Sequence, residues 1–195
     1  MSQLSKLLSS LGLPASCETQ LLAFATLFEK WNERINLSSS RSRDEVIEHV
    51  RDSLHVVPVL RERARVLDVG SGGGFPVVMA AICLPMSSFV ALEPVHKKQA
   101  FLRTAARELA LPNLDARAER VEDHGSHDYD ATTSRATMDL RVWLELGITL
   151  VRPGGLAIGF EAQRRDDLPP GTERKPYALD QKQRALVMLE RPAIA

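Results

Sequence analysis

Hydrophobic positions in the first part of the chain recur at helical spacing. After Pro14, large apolar side chains return at alternating steps of three and four, which places them on one face of a helix. These residues are Leu21, Phe24, Phe28, Trp31 and Ile35. A second helix is predicted to begin at Ser42, which forms a capping-box pattern with Glu45, and to end or bend at Pro58. The pattern therefore predicts a helical extension over residues 1–60.

Beyond this extension, short apolar runs alternate with helical segments. Strands are predicted at 64–69, 88–92, 114–117, 131–134 and 156–160, and helices at 76–84, 96–110 and 138–151. Such alternation is typical of a doubly wound parallel sheet with right-handed crossovers. Two further strands, at 174–179 and 185–190, flank the polar turn 180–183 and predict an antiparallel hairpin at the sheet edge. We therefore expect an α/β domain over residues 61–195 with a Rossmann-like, mostly parallel sheet.

Composition and charge are those of an ordinary globular protein. The 195 residues include 25 basic and 25 acidic side chains, so net charge gives no general attraction to nucleic acid or to an anionic membrane. No apolar run approaches the ~20 residues that span a bilayer, and the N-terminus lacks a signal-peptide pattern. Cys17 and Cys83 match no disulfide or metal-ligand spacing. We expect a cytoplasmic protein with no membrane contact and no metal.

A glycine-rich segment, Asp68-Val69-Gly70-Ser71-Gly72-Gly73-Gly74-Phe75-Pro76, follows the first predicted strand. Glycines permit a sharp turn and close approach of a ligand at the carboxyl ends of the strands. A dinucleotide fingerprint requires a third glycine where this chain has Phe75. Glu93 ends the next strand, where its carboxylate can accept hydrogen bonds from two ribose hydroxyls; the alternative is a solvated strand end. The combination resembles class I S-adenosylmethionine-dependent methyltransferases, with Gly70, Gly72, Gly74, Phe75 and Glu93 as cofactor-binding residues.

The residues after the fourth strand restrict the methyl acceptor. An exocyclic amine of adenine or cytosine calls for an Asn/Asp-Pro-Pro-aromatic motif, and that place reads Thr133-Ser134-Arg135-Ala136. Cytosine C5 chemistry needs a thiolate nucleophile, usually beside a proline, and neither cysteine has that context. Guanine N7 exposes a lone pair and carries no proton, so it needs positioning and no general base. Arg135 is the candidate for that positioning, and its alternative is a surface salt bridge.

A succession of short blocks carries a more specific signal. The blocks are Trp31-Asn32, Asn36-Leu37-Ser38, Glu45, His49, Asp52-Ser53-Leu54, 66–76, Lys97-Lys98, Phe101-Leu102, Arg120-Val121-Glu122 and Ser134-Arg135-Ala136. Together they resemble the RsmG or GidB family of ribosomal RNA guanine-N7 methyltransferases, from about residue 20 to the C-terminus. The resemblance implies methylation of one guanine at N7 in 16S rRNA near the decoding site, with S-adenosylmethionine as the donor.

The same resemblance implies roles for individual residues. Gly70 and Phe75 would border the cofactor, Val121 and Glu122 would flank its adenine, and Arg135 would lie near the point of methyl transfer and the cofactor. Three further residues are candidates for substrate contact: Arg120, Asn36 and His49. His49 has an alternative role in a polar cluster with Asp52 and Ser53 that ties the helices to the sheet. Asn32 and Asn36 have the alternative of capping a helix end.

Two positions depart from the family pattern. Val77 stands where the family has glycine, and Glu161-Ala162 stand where it has Lys-Gly. A carboxylate at this place would repel RNA phosphate, and Arg164 and Arg165 are candidates to substitute for the missing cation. The RNA surface itself is unmapped by the sequence, with Arg41, Arg43, Lys97 and Lys98 as candidates.

Two other functions are possible on this sequence. Glu161 raises the alternative of a weakened or inactive S-adenosylmethionine-binding module with a different RNA target. A nicotinamide oxidoreductase would use a similar sheet, but Phe75 argues against it. The expected partner is 16S rRNA, either naked or in the small ribosomal subunit, and we expect a monomer that does not act on DNA.

Overall fold

The computed structural model describes residues 2–40 and 42–193. Within them the helices are α1 (Gln3–Ser10), α2 (Cys17–Ile35), α3 (Arg43–Leu54), α4 (Val57–Leu60), α5 (Val77–Cys83), α6 (His96–Glu108) and α7 (Leu140–Gly147). The strands are β1 (Arg65–Val69), β2 (Ser88–Leu92), β3 (Leu114–Arg117), β4 (Tyr129–Ser134), β5 (Val151–Glu161), β6 (Glu173–Leu179) and β7 (Lys182–Glu190). A short 3-10 turn, Val121–Asp123, lies between β3 and β4.

The strands form one sheet in the order β3-β2-β1-β4-β5-β7-β6. Strands β1 to β5 pair in parallel, and β7 pairs antiparallel with both β5 and β6. This arrangement confirms the predicted mostly parallel sheet with an antiparallel edge hairpin. The strand order reverses beside β1, and ligands of open α/β sheets bind at such a point, outside the carboxyl ends of the strands.

Two predicted element boundaries are wrong. The helix predicted at 138–151 begins only after Asp139, whose Oδ1 accepts hydrogen bonds from the backbone N–H groups of Arg141 and Val142 at 3.0 and 3.3 Å. It ends at Gly147 because the following backbone already belongs to the sheet: the Leu150 carbonyl accepts a hydrogen bond from the Tyr129 N–H. Strand β5 is therefore longer than predicted.

The N-terminal helices pack on the sheet through an aromatic cluster. Phe24 and Phe28 of α2 are fully buried against Phe101 of α6, with ring centroids about 6 Å apart. Residues of all four N-terminal helices belong to the same hydrophobic cluster as the buried residues of α5 and α6. Ser42 caps α3 as predicted, since its Oγ accepts from the Glu45 N–H at 3.3 Å. Pro58 does not mark the end of α3: that helix stops at Leu54, the chain turns, and Pro58 lies in the first turn of α4, which begins at Val57.

Candidate active site

The glycine-rich loop after β1 folds back onto the end of β2. The N–H groups of Gly70 and Ser71 both donate to the Leu92 carbonyl, at 2.9 and 3.0 Å. Gly70 has φ +70°, and a Cβ there would come within 2.4 Å of the Thr137 side chain. Only glycine allows this approach together with this backbone conformation. The loop and the segment after β4 are therefore in direct contact.

Glu93 fixes the loop from the end of β2. Its Oε2 accepts a hydrogen bond from the Gly72 N–H at 2.8 Å, and its Oε1 accepts from the Val95 N–H at 2.9 Å. The side chain is buried, with 4% exposed, so the alternative of a solvated strand end is wrong. Each carboxylate oxygen has two acceptor positions, so both retain capacity for a further donor.

A groove of about 420 Å³ runs along this loop. We call it the cofactor groove; its walls are Leu37, Ser38, Gly70, Ser71, Gly72, Gly73, Phe75, Glu93, Pro94, Lys98, Arg135, Ala136 and Thr137. A smaller cavity of about 150 Å³ adjoins it at Gly70 and Thr137. This smaller cavity has apolar walls from Val69, Leu92 and Val121 and also includes Arg120 and Glu122. The structure thus brings the two halves of the predicted cofactor site together.

Asp68 lies buried beneath the loop. Its Oδ1 accepts a 2.6 Å hydrogen bond from the Thr133 hydroxyl, whereas its Oδ2 is buried without a partner among the described residues. Burial raises the pKa of Asp68 to about 7, although hydrogen bonds from the Ser71 and Thr133 hydroxyls oppose that shift. With 1% of the residue exposed and no place in the walls of the groove or of the smaller cavity, Asp68 supports the loop from the protein interior.

Arg135 separates the cofactor groove from a second cavity of about 360 Å³. We call this second space the acceptor cavity; its walls include His49, Asp52, Ser134, Arg135, Met138, Trp143, Phe160 and Arg184. The groove and the cavity share Arg135, Ala136 and Thr137. A ligand in the groove and a base in the cavity would therefore meet at these three residues.

Two neighbours contact the Arg135 guanidinium, and a third residue fixes one of them. Its Nη1 donates to Asp52 Oδ2 at 2.9 Å, and its Cζ lies 5.1 Å from the Phe75 ring centroid. Asp52 Oδ1 accepts a second hydrogen bond from the Tyr177 hydroxyl at 2.8 Å. Only 15% of the Arg135 side chain is exposed. The alternative of an exposed surface salt bridge is therefore wrong for Arg135.

The comparisons with known proteins address the identity of this site. The family model "GidB: rRNA small subunit methyltransferase G" matches residues 17–192. The chain belongs to the GidB family. It is 38% identical to "Ribosomal RNA small subunit methyltransferase G" of Azoarcus sp. (strain BH72), over 83% of this chain and 79% of that protein. The protein of the same name from Aromatoleum aromaticum is 42% identical, over 76% of this chain and 74% of that protein.

Solved structures show the same fold at low sequence identity. A SAM-dependent methyltransferase from Aquifex aeolicus superposes with a TM-score of 0.55 and 16% identity, covering 73% of this chain and 91% of that chain. The O-methyltransferase of Bacillus cereus in complex with SAH superposes with a TM-score of 0.58 and 16% identity, covering 85% of this chain and 89% of that chain. GidB membership confirms the predicted S-adenosylmethionine-dependent methyltransferase and its function, guanine-N7 methylation of 16S rRNA, and the solved structures confirm the fold.

His49 of this GidB-family chain borders the acceptor cavity and packs against Phe75, with ring centroids 5.5 Å apart. Burial and then the nearby Arg135 charge lower the pKa of His49 below its usual value. The predicted polar cluster forms only in part: Asp52 reaches the sheet, but the Ser53 hydroxyl donates to the His49 backbone carbonyl. His49 therefore shapes the cavity wall as a neutral ring.

Two predicted site residues, Asn36 and Gly74, border neither the cofactor groove, nor the smaller cavity beside it, nor the acceptor cavity. Asn36 is the exposed C-cap of α2 with φ +55°, and its neighbours Leu37 and Ser38 line the groove instead. The alternative of capping the helix end is confirmed for Asn36, whereas the Asn32 side chain holds the following loop: its Oδ1 accepts from the Ser38 N–H and its Nδ2 donates to the Ser40 carbonyl. Gly74 faces the protein interior: a Cβ there would lie 2.7 Å from Val78 Cγ2, so this glycine permits packing behind the loop.

The prediction that Glu161 repels RNA phosphate is wrong. Glu161 is buried, with 5% exposed, and Oε2 accepts from Arg174 Nε at 3.0 Å. Its Oε1 also accepts from the Arg165 backbone N–H at 2.9 Å. The side chain of Arg174 therefore supplies the neutralising cation. Arg164 and Arg165 instead pair with neighbouring aspartates.

The candidate RNA-surface residues are scattered. Arg43 is in an ion pair with Glu29 at 2.5 Å. Lys98 lines the cofactor groove, and Lys97 is exposed beside it. Arg41 lies outside the described residues.

In the part of the chain that the structure describes, no helix is long and apolar enough to cross a bilayer.

Sequence reasoning missed Tyr177 and Arg184, which border or support the acceptor cavity from the edge hairpin. Tyr177 lies on β6 and Arg184 lies on β7. Both strands are distant in sequence from the glycine-rich loop. The register Tyr177↔Arg184 sets them opposite each other on neighbouring strands. The hairpin itself was predicted. The missing information was that one of its faces packs against Asp52 of α3.

Proposed function

We propose that this chain carries out the family reaction through the contact between the cofactor groove and the acceptor cavity at Arg135. The observation that carries the proposal is that Arg135, Ala136 and Thr137 belong to the walls of both spaces. A methyl group can pass directly between two ligands only when their reacting atoms come within about 3–3.5 Å in line. A wall of three shared residues places the two ligands next to each other, as that requirement demands.

The residues present fit S-adenosylmethionine, which supplies an electrophilic methyl group on its sulfonium when bound. Glu93 has acceptor capacity for the ribose hydroxyls, and Gly72 has no side chain to obstruct them. Val121 and Glu122 border the apolar cavity suited to the adenine.

At the acceptor end, this chain's task is to orient the guanine. The cation of Arg135 is held by Asp52 and lies over the Phe75 ring, so it is fixed before substrate enters. Guanine N7 attacks with its own lone pair, and an arginine that bonds guanine O6 or a phosphate leaves N7 free. No proton must be removed from N7. The reaction at N7 therefore gives the neutral His49 no proton to accept.

The alternative of an inactive binding module loses its main support. It rested on an unpaired carboxylate at Glu161, and that carboxylate is neutralised by Arg174. We also infer that the protein works as a monomer in the cytoplasm, on 16S rRNA within or apart from the small subunit. Cys17 and Cys83 are buried free thiols, as expected in a reducing compartment.

Transfer of labelled methyl from S-adenosylmethionine to rRNA tests the proposal. The substrates are 30S subunits and free 16S rRNA from cells lacking this gene, with the same material from cells that have it as the premethylated control. We expect label at one guanine, located by N7-methylguanine-specific chain cleavage. Absence of transfer to both substrates, or a calorimetric signal from a nicotinamide cofactor but none from S-adenosylmethionine, would contradict it.

A further inference from the structure

A third cavity lies beside the acceptor cavity, on its hairpin side. It measures about 280 Å³ and is bordered by residues of β5, β6, β7 and the segment after β5. We call it the hairpin cavity; its polar walls are Glu161, Gln163, Arg164, Arg174, Gln183 and Arg184. Ala162 and Arg184 belong to the walls of both cavities. Arg184 therefore stands between the space for the target base and a second space.

The charge of Arg184 is only weakly engaged by the protein. Its Nε is buried and has no hydrogen-bond partner within the described residues. The nearest acid is Asp52, whose Oδ1 lies 3.8 Å from that nitrogen and already accepts from the Tyr177 hydroxyl. The other Asp52 oxygen is bonded by Arg135. Since a guanidinium carries five N–H donors in a planar fork, Arg184 retains donors for an anionic ligand.

Each of the other cations of the hairpin cavity has an acid of its own, whereas Arg184 shares Asp52 with Arg135. Glu161 pairs with Arg174 at 3.0 Å, and Arg164 has Asp166 at 3.6 Å. Arg184 is thus the source of the surplus positive charge. A single surplus guanidinium matches a singly charged phosphodiester, whose oxygens it can bond in bidentate fashion.

We propose that Arg184 holds the phosphodiester adjoining the target guanosine and that the hairpin cavity receives the neighbouring nucleotide of the same RNA strand. The inference rests on the proposed function, since the target base must occupy the acceptor cavity. Enzymes that read single-stranded RNA splay neighbouring bases apart and bond their edges. The exposed amides of Gln163 and Gln183 at this cavity supply donors and acceptors for one base edge.

The test compares wild type with Arg184→Met, Arg184→Lys and the control Arg107→Ala. Methionine keeps the unbranched stem of Arg184 and removes its charge. Arg107 is an exposed arginine on α6, with 76% of its side chain accessible and no place in any of these cavities. The kinetic constants kcat and KM are measured for 30S subunits lacking the methyl group, at several salt concentrations, together with S-adenosylmethionine affinity and thermal unfolding.

We expect Arg184→Met to raise KM for the subunit by about tenfold, with a far smaller change in kcat, because one charge-assisted phosphate contact is lost. The slope of log affinity against log salt falls by about 0.7 for one phosphate contact to a single strand. Arg184→Lys recovers part of both quantities, and Arg107→Ala matches wild type. An unchanged KM and salt slope in a folded, cofactor-binding Arg184→Met protein would overturn the proposal, as would a loss confined to kcat.

Failure of the proposed function gives a different result. In that case wild type itself transfers no methyl group to guanine N7, and the comparison moves to direct binding of unmodified 16S rRNA by fluorescence anisotropy. Equal affinity and equal salt slope of wild type and Arg184→Met in that assay would then overturn the phosphate contact on its own. A weaker, less salt-dependent interaction for Arg184→Met would support it.

Discussion

Asp52 in α3 and Arg135 after β4 are 83 positions apart in sequence and form a 2.9 Å ion pair at the wall of the acceptor cavity. The pair couples the N-terminal helices to the catalytic end of the sheet. Tyr177 completes the arrangement from β6, through its hydrogen bond to the other oxygen of Asp52. Three separate regions of the chain thus determine where one guanidinium stands.

Replacement of Arg135 by alanine is expected to abolish methyl transfer. The variant loses the cation that orients the acceptor, whereas the groove keeps its contacts through Glu93 and the glycine-rich loop. S-adenosylmethionine affinity should stay within about tenfold, or ~1.4 kcal/mol. Calorimetric titration of the cofactor and labelled-methyl transfer measure the two effects. Undiminished turnover in Arg135→Ala would reject the assigned role.

The sequence predicted the sheet and the loop because both depend on local pattern. Strand–helix alternation and the spacing from Gly70 to Glu93 are readable within short windows, and the structure places both residues at one groove. Contacts between distant segments were not readable. The Glu161–Arg174 pair depends on the antiparallel edge strands, and no local signal around Glu161 indicates its partner 13 positions away.

Tyr177→Phe is expected to slow methyl transfer several-fold without affecting cofactor affinity. The variant removes one hydrogen bond to Asp52 and should cost about 1 kcal/mol of the free energy of unfolding. Its catalytic effect arises because Asp52 then holds Arg135 less firmly. Urea denaturation and single-turnover kinetics measure the two quantities.

Tyr129→Phe is the matched control for that experiment. The Tyr129 hydroxyl bonds His124 at 2.8 Å in a buried position away from the acceptor cavity. Loss of this bond should lower stability by a similar amount and leave kcat unchanged. If both tyrosine variants slowed turnover equally, the effect would reflect general stability and not the position of Arg135.

Glu161→Lys restores the residue type expected from the family pattern and is nevertheless predicted to destabilise this chain. The new cation would face Arg174 in a buried place, and loss of one member of a buried pair typically costs 3–5 kcal/mol, so about 3 kcal/mol is expected. The double variant Glu161→Lys, Arg174→Glu should regain much of that loss. Arg164→Ala, at an exposed pair, should change stability by less than about 1 kcal/mol. Chemical denaturation measures the free energy of unfolding of all three variants. A Glu161→Lys protein as stable as wild type would contradict the importance of the Glu161–Arg174 pair.

The raised pKa of Asp68 predicts an unusual pH dependence of stability. Burial raises this pKa from 3.8 to about 7, so between those values the folded state binds a proton that the unfolded state has lost. The free energy of unfolding therefore decreases as pH rises from about 4 to 7, and this contribution levels off above pH 7. The effect is at most on the order of 4 kcal/mol, at 1.36 kcal/mol for each pKa unit.

Asp68→Asn isolates that contribution, because its amide does not titrate and its oxygen still accepts from the Thr133 hydroxyl. The lowered pKa values of His49 and His55 act in the opposite direction, since they remove stability as pH falls below 6.5. Both histidines are present in both proteins, so their effect cancels in the comparison. The stability of Asp68→Asn relative to wild type should increase from pH 4 to pH 8. Denaturation at each pH gives one curve of stability against pH for wild type and one for Asp68→Asn. Parallel curves would show that Asp68 titrates in its ordinary range and is ionised beneath the loop.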